Sequence, residues 1–292
     1  MVDRGRPASA AGTFKLGGEL EVARMAYGAM RLTGQPGNWG PYTDPIGAKR
    51  LLHRALDLGV NLIDTAHAYG PGFNEALIAQ ALHPYPADLV IATKGGIWKT
   101  GPGLFHRDSR PEALRAVCEA CLLHLKRDRL DLFQLHWVDD KVPWAEAIGG
   151  LQRLVEEGKV RFIGICNVTA EQARQAMDMA PIASVQNRFA LNDEEHRPVL
   201  QLCAERGVAF IPYGPLGAKP FEQDAPLTRA TGKIAEVARE HEATTGQIAL
   251  AWLLAQAPVV LPIPGTTSVG HLEENVAATG FRLSEKDLAA LR

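Results

Sequence analysis

The chain has 292 residues, 46% of them hydrophobic and 22% charged, with a formal net charge of −2. That charge gives no electrostatic case for nucleic acid or an acidic membrane surface as a partner, and no apolar run reaches the ~20 residues of a membrane-spanning helix. The length is long for one ordinary domain but normal for a single α/β barrel.

The opening MVDRGRPASAAG has no apolar stretch of the kind a secretory signal uses. It is expected to be a mobile tail over residues 1–12, ahead of one domain at 13–292. FKLGGELEV (14–22) alternates around Gly17-Gly18, a hairpin signal suited to plugging the bottom of a barrel. VARMAYGAM (22–30) reads as a first strand, followed by a helix opening at Asp44-Pro45, where Asp44 caps and Pro45 starts it. NLIDT (61–65) precedes a helix near 74–82. LVIATK (89–94) precedes a helix near 110–125, whose Ser109-Arg110-Pro111-Glu112 start has the capping-box pattern. LDLFQLH (130–136) precedes a helix near 144–156, and VRFIGICN (160–167) one opening at Thr169 with Gln172 three residues on. IASVQN (182–187) precedes a helix near 194–205. VAFIPY (208–213) precedes a long loop and helices near 231–240 and 245–255. VVLPIPG (259–265) precedes a short helix near 269–276, and a last helix opens at Ser284.

Apolar strands alternating with helices imply a parallel sheet covered by helices. Eight such units in about 260 residues predict the α/β class and a (β/α)₈ TIM barrel with an N-terminal β-hairpin at its bottom. An open doubly wound sheet is the alternative, though it usually carries fewer strands. Four cysteines are too few for a disulfide scaffold and point to a reducing cytoplasm. Cys118 and Cys121 form a CxxC, yet with Leu114 and Leu125 they fall on one helical stripe, which reads as core. No second Cys or His pair in sequence completes a zinc site, so no metal is expected.

Barrel sites lie at the C-terminal ends of the strands. Here those ends carry Asp64 with Tyr69 in its loop, Lys94, His136, Asn167, Gln186, Tyr213 and Gly265. Any one of them alone reads as a strand-end cap or a solvated side chain. Their convergence on one rim does not. A semi-buried Lys94 needs a partner, and Asp64 on the neighbouring strand supplies it. Lys94 is expected to lower the pKa of Tyr69 and make it a competent acid. His136 offers a hydrogen bond to a substrate oxygen. The set suits protonation of an oxygen as negative charge develops on it. A nucleophilic serine elbow, GxSxG, is absent.

DTAHAYG (64–70), TKGG (93–96) and DLFQLHW (131–137), in order and on successive strands, resemble the aldo-keto reductase family. The resemblance runs from about residue 16 to 288. It implies a catalytic tetrad of Asp64, Tyr69, Lys94 and His136, and a nicotinamide cofactor across the barrel mouth without a GxGxxG loop. GICNV (164–168) resembles the family's carboxamide-binding strand, with Cys166 in place of its serine beside Asn167. Gln186 is expected at the same carboxamide. YGPLG (213–217) brings Tyr213 to stack on the nicotinamide, with Gly214 and Leu216 beside it. IPGTTSVGHLEEN (263–275) resembles the adenosine-binding segment, implying contacts from Gly265, Thr266, Thr267, His271, Glu274 and Asn275. Those positions hold no permanent cation, but hydroxyls, a helix start and His271 favour NADPH over NADH. The segments ALHPYPADL (81–89) and 263–275 are similar to the bacterial pyridoxal reductase-like group.

Trp39, Phe73, Trp98 and Trp137, in or beside the loops after the first four strands, are the candidates for an aromatic substrate wall. The function expected is reduction of a small-molecule aldehyde or ketone by NADPH, with pyridoxal a candidate substrate. A Schiff-base aldolase using Lys94 and a cofactor-binding regulator similar to potassium-channel β subunits are the alternatives.

Overall fold

The structure, a computed structural model, describes residues 6–218 and 225–291. β1 (Thr13–Leu16) and β2 (Leu20–Ala23) form an antiparallel hairpin in which Leu16 faces Leu20. Gly17 and Gly18 take φ of 61° and 78°, a region that glycine enters without a Cβ penalty. Leu16 and Val22 are fully buried in one cluster with Leu62, Ala92, Leu132 and Leu261. Those partners are inward residues of the barrel strands, so the hairpin plugs the barrel floor as expected.

The strands that follow are β3 (Tyr27–Gly28), β4 (Leu62–Asp64), β5 (Val90–Gly95), β6 (Ile97–Gly101), β7 (Leu104–Arg107), β8 (Leu130–Leu135), β9 (Val160–Cys166), β10 (Ile182–Gln186) and β11 (Ala209–Phe210). β3, β4, β5, β8, β9, β10 and β11 pair in parallel in that spatial order, while β6 and β7 form a separate antiparallel hairpin. The eighth barrel segment, 259–264, closes the ring. Phe210 N donates to Val259 O and Leu261 N to Phe210 O, both at 2.9 Å. On the other side Ala26 N donates to Pro262 O at 3.0 Å and Gly28 N to Pro264 O at 3.5 Å. Pro262 and Pro264 lack N–H groups, so this segment accepts more than it donates and makes only a thin ladder.

The helices are α1 (Pro45–Asp57), α2 (Phe73–Leu82), α3 (Pro111–Leu125), α4 (Trp144–Glu156), α5 (Ala170–Met179), α6 (Arg197–Arg206), α7 (Lys233–Glu240), α8 (Thr245–Gln256), α9 (Val269–Ala277) and α10 (Glu285–Ala290). Their buried stripes pack on the outward strand residues, Leu51 and Val117 among them meeting Ile63, Ile91 and Phe133 in a second core layer. Cys118 and Cys121 are buried in that layer.

Asp44 caps α1, with its carboxylate accepting from Gly47 N at 2.9 Å, and Thr169–Gln172 forms a complete capping box on α5. The capping box expected at Ser109 does not form. Pro111 occupies the first helical position, which makes Arg110 the cap residue, and Asp108 accepts the Arg110 N–H instead. The tail also needs correction. Within 6–12, Pro7–Ser9 is a short 3₁₀ turn, Ala8 is fully buried, and Ala8 N donates to Leu58 O at 2.9 Å. Thr279 Oγ1 further donates to Pro7 O. A lone buried alanine in RPASAAG gives no periodic signal for this docking.

Candidate active site

Strand alternation builds the site. Leu62, Ala92 and Leu132 face the barrel interior, so Asp64, Lys94 and Gln134, two residues on in each strand, face it too. The parallel register sets Asp64 opposite Ala92 and Lys94 opposite Gln134, so the polar residues converge on the C-terminal half of the barrel. Lys94 is fully buried. Its Nζ donates to Asp64 Oδ1 at 2.6 Å and to Thr65 O at 2.8 Å. The other carboxylate oxygen, Asp64 Oδ2, accepts from Gln186 Nε2 at 2.8 Å and from Gln134 Nε2 at 3.4 Å. Ser184 Oγ donates to Gln134 Oε1 at 3.1 Å and completes the network. A buried charge pair persists only when its remaining lone pairs and protons are satisfied, and this one is nearly saturated.

Burial works against the Lys94 ammonium, and the Asp64 carboxylate outweighs it, so its pKa lies above the usual lysine range. The Lys94 ammonium stands 5.4 Å from the centroid of the Tyr69 ring. Burial pushes the Tyr69 phenol up, Lys94 pulls it down, and the net position is about 12. The expectation that Lys94 lowers Tyr69 below its ordinary value is therefore corrected: desolvation of the phenolate wins, and the phenol holds its proton at neutral pH.

His136 meets the Tyr69 ring edge-on, with centroids 5.9 Å apart. Burial and then the charge of Lys94 hold its imidazole well below the ordinary histidine range, so it is neutral. Its Nδ1 is buried with no hydrogen-bond partner among the described residues. An unpartnered lone pair costs less than an unpartnered N–H, which assigns the proton to Nε2 as a donor.

These groups line one cleft, with about 1330 Å³ of empty space counting the part open to solvent. Its lining takes in Asp64, Tyr69, His136, Asn167, Gln186, Tyr213, Gly214, Leu216 and Gly265. Asn167, in the left-handed region at φ 56°, donates from Nδ2 to His136 O at 2.9 Å and accepts the Tyr213 hydroxyl at 2.8 Å. Cys166 is buried beneath the cleft, and burial raises its thiol, which stays protonated. Gly28 and Gly265 let two strands touch across the closure: a Cβ on Gly28 would lie 2.6 Å from Ile263 O, and one on Gly265 2.7 Å from Gly28 O.

The other predicted cofactor residues cluster at the start of α9. Thr266 is buried, with its carbonyl accepting from Tyr27 Oη at 2.7 Å and its hydroxyl from Ser268 N at 3.1 Å. Ser268 caps α9 by accepting from His271 N. Thr267 and His271 are exposed, Asn275 is buried, and Glu274 Oε1 accepts from Thr244 Oγ1 at 2.6 Å.

The aromatic wall is largely corrected. Trp137 lines the cleft, but Trp39, Phe73 and Trp98 do not. On β6 the alternation sends Ile97 and Lys99 into the cleft and Trp98 to the opposite face, where it meets His67 edge-on. Phe73, at the first position of α2, is 51% exposed. Met30, Ile97, Phe105 and Lys99 are lining residues that the sequence reading missed. Gln134 was missed too, though its inward place in LDLFQLH was a signal.

A parallel barrel whose rim joins a buried Asp–Lys pair to a protonated phenol and a neutral imidazole defines the class: a nicotinamide-dependent oxidoreductase acting on a carbonyl–alcohol pair. The profile described as the Aldo/keto reductase family matches residues 24–292, and the chain belongs to that family. It is 40% identical over 284 residues to an uncharacterized oxidoreductase of Schizosaccharomyces pombe, covering 97% of this chain and 90% of that protein. It is 38% identical over 285 residues to the pyridoxine 4-dehydrogenase of Escherichia coli, covering 96% of each. Among solved structures, an aldo/keto reductase from Klebsiella pneumoniae in complex with NADP and acetate superposes with a TM-score of 0.80. It is 27% identical, over 96% of this chain and 93% of that one.

Proposed function

We propose that the protein reduces aldehydes or ketones to alcohols with NADPH, Tyr69 donating the proton and pyridoxal among its substrates. The observation that carries the reading is the protonated Tyr69 phenol between the Lys94 ammonium and the neutral ring of His136. A substrate oxygen seated between Tyr69 and His136 meets two hydrogen-bond donors. As charge grows on it, the Tyr69 proton moves across, and Lys94 stabilises the phenolate left behind. Asp64, Gln134 and Gln186 hold Lys94 in place. The raised Lys94 pKa argues against an amine nucleophile, so the aldolase alternative loses its chemistry.

The cleft fits a nicotinamide dinucleotide. Gly28, Gly214 and Gly265 line it without side chains, and Asn167, Gln186 and Tyr213, which also line it, would hold the nicotinamide end. Gly265 through Thr267, His271, Glu274 and Asn275, at the start of α9, would hold the adenosine end. When bound, the cofactor supplies the hydride that reduces the carbonyl carbon. The assay that tests the reading follows loss of NADPH absorbance with a panel of aldehydes and ketones; tight NADPH binding without turnover would support a regulatory role instead.

NADPH is expected to bind more tightly than NADH by about tenfold, the worth of one charge-assisted contact. The exposed α9 start presents amides and the Thr267 hydroxyl, and nothing anionic precedes Glu273. Titration of tryptophan fluorescence with each cofactor in turn checks this. Equal affinities for the two cofactors would overturn it.

Pyridoxal is assigned by similarity to the E. coli pyridoxine 4-dehydrogenase alone, since the Lys99 ammonium at the cleft wall already donates to Gly37 O and Asn38 O. Pyridoxal is expected to exceed benzaldehyde in kcat/KM. The reverse order removes it as a substrate.

A further inference from the structure

Glu75, in the first turn of α2, is fully buried, and among the described residues its ion pairs are to imidazoles alone. Its Oε1 accepts from Thr93 Oγ1 at 2.5 Å. Its Oε2 lies 3.2 Å from His124 Nδ1 and 3.9 Å from His67 Nδ1. The Cys121 thiol faces the same point, with ligand atoms of His67, Glu75 and Cys121 all within 4.8 Å of one another. His67 is 8% exposed, and its buried Nδ1 has no hydrogen-bond partner among the described residues. The His67 and His124 rings stack at 5.8 Å, almost parallel, beside the carboxylate.

An orphaned imidazole nitrogen, a buried carboxylate and a buried thiol facing one point form a donor set that a soft divalent cation satisfies. We propose that His67 Nδ1, Glu75 and Cys121 Sγ bind a zinc ion, with His124, whose Nδ1 already lies 3.2 Å from Glu75 Oε2, turning in as the fourth ligand. A tetrahedral zinc with bonds of about 2.0–2.3 Å spaces its ligands roughly 3.3–3.7 Å apart, so the site closes by about an ångström on binding. Cys121 gives up its proton to solvent, and His67 binds through its neutral Nδ1. One carboxylate and one thiolate then cancel the ion's charge, leaving a buried centre that is neutral overall. His124 is partly exposed and lies on the entry path.

The role is structural. His67 lies between Asp64 and Tyr69 in the chain, so the ion fastens that catalytic loop to α2 and α3. Spacing in sequence hides the site because α3 contributes only Cys121 and His124 and the remaining ligands come from the preceding unit. Cys118, three residues away, takes no part.

The test measures metal in the purified full chain after loading with Zn²⁺ and gel filtration. Close to one zinc per chain is expected in the wild type and in Cys118→Ser, and at least tenfold less in Cys121→Ser and His67→Ala. Loading with Co²⁺ is expected to give a thiolate-to-cobalt charge-transfer absorption in the wild type and Cys118→Ser, absent in Cys121→Ser. Wild-type protein that retains less than a tenth of an equivalent of zinc overturns the proposal without recourse to any variant. So does a Cys121→Ser protein whose zinc content and cobalt spectrum match the wild type.

Discussion

Tyr69→Phe is expected to fold as the wild type, bind NADPH with unchanged affinity, and lose carbonyl reduction by about a hundredfold to ten-thousandfold, the usual cost of losing a general acid. The substitution removes one hydroxyl and leaves the ring, so the edge-on contact with His136 survives. The loss falls in kcat rather than KM, because the proton moves only in the transition state. Purified protein assayed with one good aldehyde decides it, and turnover near that of the wild type would remove Tyr69 from the mechanism.

Lys94→Met is expected to cost about 3–5 kcal/mol of stability, the penalty for leaving one partner of a buried ion pair alone. Lys94 and Asp64 are both almost completely buried, and the two glutamine amides that also reach Asp64 are neutral dipoles that cannot replace a charge. The double variant Lys94→Met/Asp64→Asn removes both charges and is expected to recover a large part of the loss, since the substituted amide keeps an oxygen to accept from Gln186. Urea unfolding of the two single variants and the double variant gives the coupling directly. A Lys94→Met protein within about 1 kcal/mol of wild type would mean that water reaches the pair, against its near-complete burial.

Much of the site was legible because a strand's period of two turns a sequence into two faces. Once Leu62, Ala92 and Leu132 are inward, Asp64, Lys94 and Gln134 must be inward as well. The barrel itself followed from the alternation of apolar strands with helices. The β6–β7 hairpin did not, although Gly101-Pro102-Gly103 is a turn signal between its strands. Missing it placed Trp98 on the wrong face and hid Ile97, Lys99 and Phe105 from the cleft. The proton affinity of Tyr69 was misjudged because sequence shows which charges are near but not how much water is excluded. The His67–Glu75–Cys121–His124 cluster was out of reach because two helices and a loop from different units meet there.

The central claim is that hydride from the cofactor reaches a substrate carbonyl carbon while Tyr69 supplies the proton. The most direct test uses NADPH stereospecifically deuterated at C4, each epimer in turn, with wild-type protein and an aldehyde it turns over. One epimer is expected to deliver a single deuterium to the former carbonyl carbon of the alcohol, and the other none. An unlabelled alcohol from both epimers, or borohydride trapping of the aldehyde on Lys94, would contradict it.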